Sequence, residues 1–145
     1  MTTPLPFQHL LARADQSSLS ILIADDEPSF TNLLMIMLKS MGHKVVATAR
    51  NGHEAIQLAE TKGPDLILMD IGMPGIDGIT AAEKILAKKS LPIIIITGTL
   101  LNETMDRIGP MKIESCLIKP FSKEQLRSAI GLAMIRHQTA ATMEK

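Results

Sequence analysis

The chain has a single cysteine, Cys116, and neither tryptophan nor tyrosine. One thiol excludes an intramolecular disulfide, so the reducing cytoplasm is the simplest home for this protein. Aromatic residues amount to only 2%, which removes the stacking platforms that single-strand nucleic-acid binders use. Excess charge is missing as well, since 15 Lys and Arg balance 15 Asp and Glu. A neutral chain carries no electrostatic footprint for nucleic acid or an anionic lipid surface, and neither is expected as a partner. The longest apolar runs, such as residues 33–38 and 93–96, fall far short of the roughly 18 residues that span a bilayer. The N-terminus, MTTPLPFQHLLARADQSS, lacks the basic start and continuous apolar stretch of a signal peptide.

What is present is an ordinary globular composition of 145 residues, 46% hydrophobic and 21% charged, enough for one domain with a core of its own. The apolar residues gather in short branched runs at 20–24 (SILIA), 45–48, 66–69, 91–97 (LPIIIIT) and 115–118. Strands buried on both faces read as continuous runs of this kind. Between the runs, the spacing predicts helices from near Pro28 to residue 41, over 54–62, 79–89 and 102–108, and from a Ser122 cap to about His137. Residues 72–78 (GMPGIDG) hold too much glycine to be anything but a loop.

Five strands alternating with five helices predict a three-layer α/β domain, doubly wound around a parallel five-stranded sheet. Residues 1–18 read as an N-terminal extension with some helical apolar spacing over 7–14, residues 19–137 as the domain, and residues 138–145 as a frayed tail. The carboxyl ends of the strands in such a sheet face one crevice. The residues found there are Asp25 and Asp26, Asp70, Thr97 and Lys119. Crowded carboxylates repel one another, and a hard divalent cation such as magnesium relieves this while accepting phosphoryl oxygens as further ligands. A carboxylate can also act as a nucleophile and form an acyl phosphate. A lysine and a hydroxyl then have phosphoryl oxygens to bind.

With IADDEP at the first strand, MDIGMPGIDG at the third, IITG at the fourth and IKPF at the fifth, the chain resembles the response-regulator receiver domains of two-component signalling, over roughly residues 20–137. The resemblance implies a flavodoxin-like (βα)5 fold with Asp70 as phosphoacceptor. It implies that magnesium is held by Asp26, by Asp25 partly through water, by Asp70 itself and by the backbone carbonyl of Gly72. Thr97 and Lys119 match the hydroxyl and lysine that bind the phosphoryl oxygens; Gly98 leaves that pocket open, and Lys119-Pro120 is commonly a cis peptide in the family. The implied partners are a histidine kinase or histidine phosphotransfer protein and a downstream protein target. The implied catalysis is confined to the domain's own phosphoryl transfer and dephosphorylation. Cys116 departs from the pattern, standing where receivers often carry Tyr or Phe, as do Glu114-Ser115 and the early stop at Pro110.

The 25 residues after Pro120 suffice for one helix and a tail, so a stand-alone receiver is expected. Two other readings compete with this one. An aspartate-nucleophile magnesium phosphatase commonly places its two acids two residues apart, whereas Asp25 and Asp26 are adjacent. A flavin-binding module needs a Ser/Thr/Gly-rich first loop, and DDEPS would repel a flavin phosphate.

Overall fold

The computed structural model describes residues 18–98, 102–109 and 115–143. The helical spacing at 7–14, the start of the loop after Gly98, Pro110 and Glu114 lie outside the described residues. The elements follow the order β1 (Ser20–Ala24), α1 (Pro28–Ser40), β2 (Lys44–Ala49), α2 (Gly52–Lys62), β3 (Leu66–Asp70), α3 (Gly78–Lys88), β4 (Ile93–Thr97), α4 (Asn102–Ile108), β5 (Ser115–Ile118) and α5 (Lys123–Met143). All four strand pairings are parallel and the sheet runs β2-β1-β3-β4-β5. The expected doubly wound architecture is therefore present, and its topological switch lies between β1 and β3, beside Asp25 and Asp70.

Alternate residues of each central strand feed opposite layers. Ile21, Ile23, Leu68, Ile94 and Ile96 pack with Leu34 and Leu38 of α1 and Leu126 and Ile130 of α5. Leu22, Ala24, Ile67, Met69 and Ile95 pack with Ala55 and Ala59 of α2 and Ala81 and Ile85 of α3. Burial on both faces explains why these strands are unbroken apolar runs.

Helix boundaries follow their caps. The α2 helix begins at Gly52, two residues before the expected start, because the Asn51 side chain accepts the Glu54 amide at 2.9 Å and Glu54 in turn accepts the Arg50 amide. The α3 helix begins at Gly78 because the Asp77 carboxylate accepts the Thr80 amide at 2.8 Å. At α5, Ser122 and Gln125 satisfy each other's amides at 2.8 and 3.0 Å. That helix continues to Met143 rather than stopping near His137, since residues 138–143 hold neither glycine nor proline to break it. β4 starts at Ile93, later than the apolar run suggests; Pro92 offers only its carbonyl, which accepts the Ile67 amide at 3.1 Å. No helix among the described residues is long and apolar enough to cross a membrane.

Two further contacts stiffen the loop after β3. Arg107 of α4 binds the Asp77 carboxylate with both terminal nitrogens, at 2.7 and 3.1 Å, and reaches the Thr80 hydroxyl at 3.1 Å. This hydrogen bond holds the Asp77 carboxyl below its usual range. Gly78 lies so close to the Asp70 carbonyl that a Cβ there would collide with backbone, whereas a Cβ on Gly72 would meet only the Asp70 carboxylate at 3.7 Å. Gly78→Ala is therefore expected to destabilise the protein by about 1–3 kcal/mol, lowering the melting temperature by roughly 3–10 °C. Gly72→Ala should melt close to wild type in the same thermal scan.

Candidate functional site

The crevice is built from strand ends. Asp70 is the last residue of β3 and Thr97 the last of β4, and both are buried. Asp25 follows β1, also buried, and its amide is tied to the Ala49 carbonyl of β2 at 2.9 Å. Asp26 beside it is exposed. Pro28 opens α1 immediately afterwards, its missing N–H costing nothing in a first turn. The Asp25 carboxylate accepts the Glu27 amide at 2.9 Å, so it serves the start of this helix as well as the crevice. Oxygens of Asp25, Asp26 and Asp70 all come within 4.8 Å of one another.

Lys119 enters from the opposite side. Its amide donates to the Thr97 carbonyl at 2.8 Å, and the Lys119-Pro120 peptide is cis. The ammonium donates to Asp25 Oδ2 at 3.0 Å and lies 3.8 Å from Asp70 Oδ1 and 3.7 Å from Glu27 Oε1. Gly72 lies beside Asp70, where a Cβ would come within 3.7 Å of the carboxylate, and its backbone amide favours the ionised carboxyl. A Cβ on Gly98 would point into open space. Asp25, Asp26, Asp70 and Lys119 thus converge, with Thr97 joined through its backbone and Gly72 beside the Asp70 carboxylate. Glu27 and Phe30 also reach the lysine, though neither is a strand-end residue. The third acid of DDEP was a readable signal for Glu27; Phe30 had none beyond the scarcity of aromatics.

The electrostatics follow from crowding and burial. Burial pushes the Asp70 carboxyl from 3.8 up to about 6; the Asp25 charge adds to the rise, Lys119 and the Gly72 amide oppose it, and Asp26 adds a smaller rise. Burial alone would lower the Lys119 ammonium, but the Asp25 hydrogen bond and the charges of Asp70, Asp25 and Glu27 outweigh it and hold it above its ordinary value. Burial raises the Cys116 thiol, which makes it a poor nucleophile.

A protein-family model described as the response regulator receiver domain matches residues 21–131. The chain is 38% identical over 124 residues to the transcriptional regulatory protein PdtaR of Mycobacterium tuberculosis, covering 86% of this chain and 60% of that protein. It is 33% identical over 124 residues to the alkaline phosphatase synthesis transcriptional regulatory protein PhoP of Bacillus subtilis, covering 83% of this chain and 50% of that one. The chain thus spans about half to three fifths of the length of these relatives. Among solved structures, the signal receiver domain of a modulated diguanylate cyclase from Desulfovibrio desulfuricans superposes with a TM-score of 0.80 at 31% identity, covering 86% of this chain and 99% of that one.

The raised Asp70 carboxyl makes stability depend on pH with a definite sign. Below pH 3.8 both folded and unfolded chains hold the proton; between 3.8 and about 6 only the folded chain keeps it, so stability falls as pH rises and levels off above 6. The loss at neutral pH is on the order of 3 kcal/mol. In metal-free protein, Asp70→Asn is expected to raise the melting temperature at pH 7, leave it near wild type at pH 4, and flatten the slope between. Calorimetric melts across that interval check it.

Proposed function

Because this chain belongs to the response-regulator receiver family, we propose that Asp70 accepts a phosphoryl group from the phosphohistidine of a histidine kinase or a histidine phosphotransfer protein. The observation that carries this reading is a buried carboxylate at the end of β3 with two further carboxylates and one ammonium around it. An Asp70 oxygen attacks the phosphorus, the P–N bond of the donor imidazole breaks, and its electron pair stays on the ring nitrogen; the product is an acyl phosphate. With its pKa at about 6, Asp70 is ionised at neutral pH, as nucleophilic attack requires. Lys119, 3.8 Å from Asp70 Oδ1, binds the arriving phosphoryl oxygens as a point charge, and the Thr97 hydroxyl donates to them. Attack of water on the same phosphorus breaks its bond to the Asp70 oxygen, releasing inorganic phosphate and returning the free carboxylate.

The donor set fits magnesium. Three carboxylates with oxygens within 4.8 Å need only a small contraction to share one hard cation, for which bonds to oxygen are about 2.0–2.1 Å. Asp25, Asp26 and Asp70 would hold it, with the Gly72 carbonyl as a further ligand. Magnesium bound there supplies positive charge to the developing phosphoryl oxygens. The modified state is passed on by phosphorylation-dependent binding of a downstream protein or by relay, in the reducing cytoplasm that a single thiol suits. The Asp25–Asp26 pair at the mouth repels the phosphate of a flavin, which argues against a flavin-binding role.

Incubation with acetyl phosphate and magnesium should add one phosphoryl group by intact-mass measurement, and Asp70→Asn should abolish the adduct. Persistence of the adduct in that variant would refute the assignment. Lys119→Ala should retain slower incorporation with a weakened conformational response. Magnesium at ten times its dissociation constant should stabilise the unmodified protein by about 1.4 kcal/mol. Asp26→Asn should lose most of that increment, and a melting curve indifferent to millimolar magnesium at constant ionic strength would rule out the metal site.

A further inference from the structure

Of the three phenylalanines in the chain, Phe30 meets Lys119 and Phe121 meets Phe30. The ammonium nitrogen lies 4.1 Å from the centroid of the Phe30 ring. That ring meets Phe121 edge to face, with centroids 5.7 Å apart and planes at 88°. Both rings are partly buried and pack on the core layer shared by α1 and α5, so packing sets their positions. Phe30 lies in the first turn of α1, whose start is set by Pro28 beside the acidic pair.

We propose that Phe30 is a positioning residue for Lys119, its ring face holding the ammonium over the crevice between Asp25 and Asp70, with Phe121 bracing the ring. A lysine stem has several free torsions, and here its charge has two ways to go. Asp25 and Asp70 draw it inward, while Glu27, 3.7 Å away with a side chain 63% exposed, draws it toward solvent. A ring face attracts an ammonium through its quadrupole without neutralising it or taking up an N–H donor. Of the three N–H donors of Lys119, one goes to Asp25 and the ring needs none, so donors stay available to oxygens arriving at Asp70. The ring also covers the ammonium from water, which strengthens its coupling to charge inside the crevice. An aliphatic residue at position 30 would fill space but supply neither the attraction nor the orientation.

This inference rests on Asp70 being the phosphoacceptor, and the test separates the two. The full chain would be prepared as wild type, Phe30→Tyr and Phe30→Leu, and with 3,4,5-trifluorophenylalanine incorporated at position 30. The last keeps the ring's shape while weakening its negative face. Phosphoryl incorporation from acetyl phosphate and magnesium would be timed in each, with melting temperature as the folding control. The side-chain methylene protons of Lys119 would be read by NMR for ring-current shifts. Wild type and Phe30→Tyr should share one rate and show shifted methylenes. The Leu and trifluoro proteins should be about three- to tenfold slower, the trifluoro protein melting like wild type. Equal rates in wild-type, Leu and trifluoro proteins, or unshifted Lys119 methylenes in wild type, would overturn the role of Phe30. A wild type that takes up no phosphoryl group but shows shifted methylenes would instead overturn the phosphoacceptor reading and leave the lysine's placement by the ring supported.

Discussion

The repulsion among Asp25, Asp26 and Asp70, with oxygens within 4.8 Å of one another, is the constraint to which the carboxyl edge of the sheet answers. Such crowding opposes folding, since the unfolded chain disperses the same charges. Lys119 is the protein's own counterweight. It places one positive charge 3.0 Å from Asp25 and 3.8 Å from Asp70 against three negative ones, and the Asp70 carboxyl stays raised, first by burial and then by the Asp25 charge. A divalent cation in the proposed site would supply the remainder, so the fold stores a preference for the metal as residual repulsion.

That repulsion is tolerable because the strands behind it are buried on both faces. Ile21, Leu22, Leu68, Met69 and Ile94 have no exposed surface, and the two apolar layers they feed hold the strand ends in register. The loop after β3 is held as firmly. Gly78 packs on the Asp70 backbone with no room for a side chain, and the adjoining Asp77 both caps α3 and binds Arg107 of α4.

Lys119 gives the site its asymmetry. Carboxylates surround it on one side and the Phe30 ring on another, so its charge is oriented without being fully spent. In a chain with so few aromatics, the contact of Phe30 with Lys119, with Phe121 edge-on behind it, is a local use of a scarce residue type. The lysine's backbone is held as well, by the hydrogen bond its amide donates to the Thr97 carbonyl.

The order of elements was legible in the sequence because continuous branched runs such as SILIA and IIIIT are what doubly buried strands require, and because Asp70, Thr97 and Lys119 stand where those runs end. Element ends were less legible. Asn51 and Asp77 start their helices earlier than apolar spacing implies, since a cap acts through a side-chain hydrogen bond that periodicity does not register. Which residues touch was decided by tertiary structure alone. Lys119 and Asp25 are 94 positions apart, and only the packing of β1 between β2 and β3, with β5 at the far edge, fixes how far a lysine must reach to meet them. Glu27 and Phe30 join the site for the same reason: α1 lays them beside a strand end from the other extreme of the chain, a distance that no local pattern encodes. The sequence by itself determined which chemistry the strand ends carry; the packing of sheet and helices decided how close those groups come, and so how strongly they act on one another.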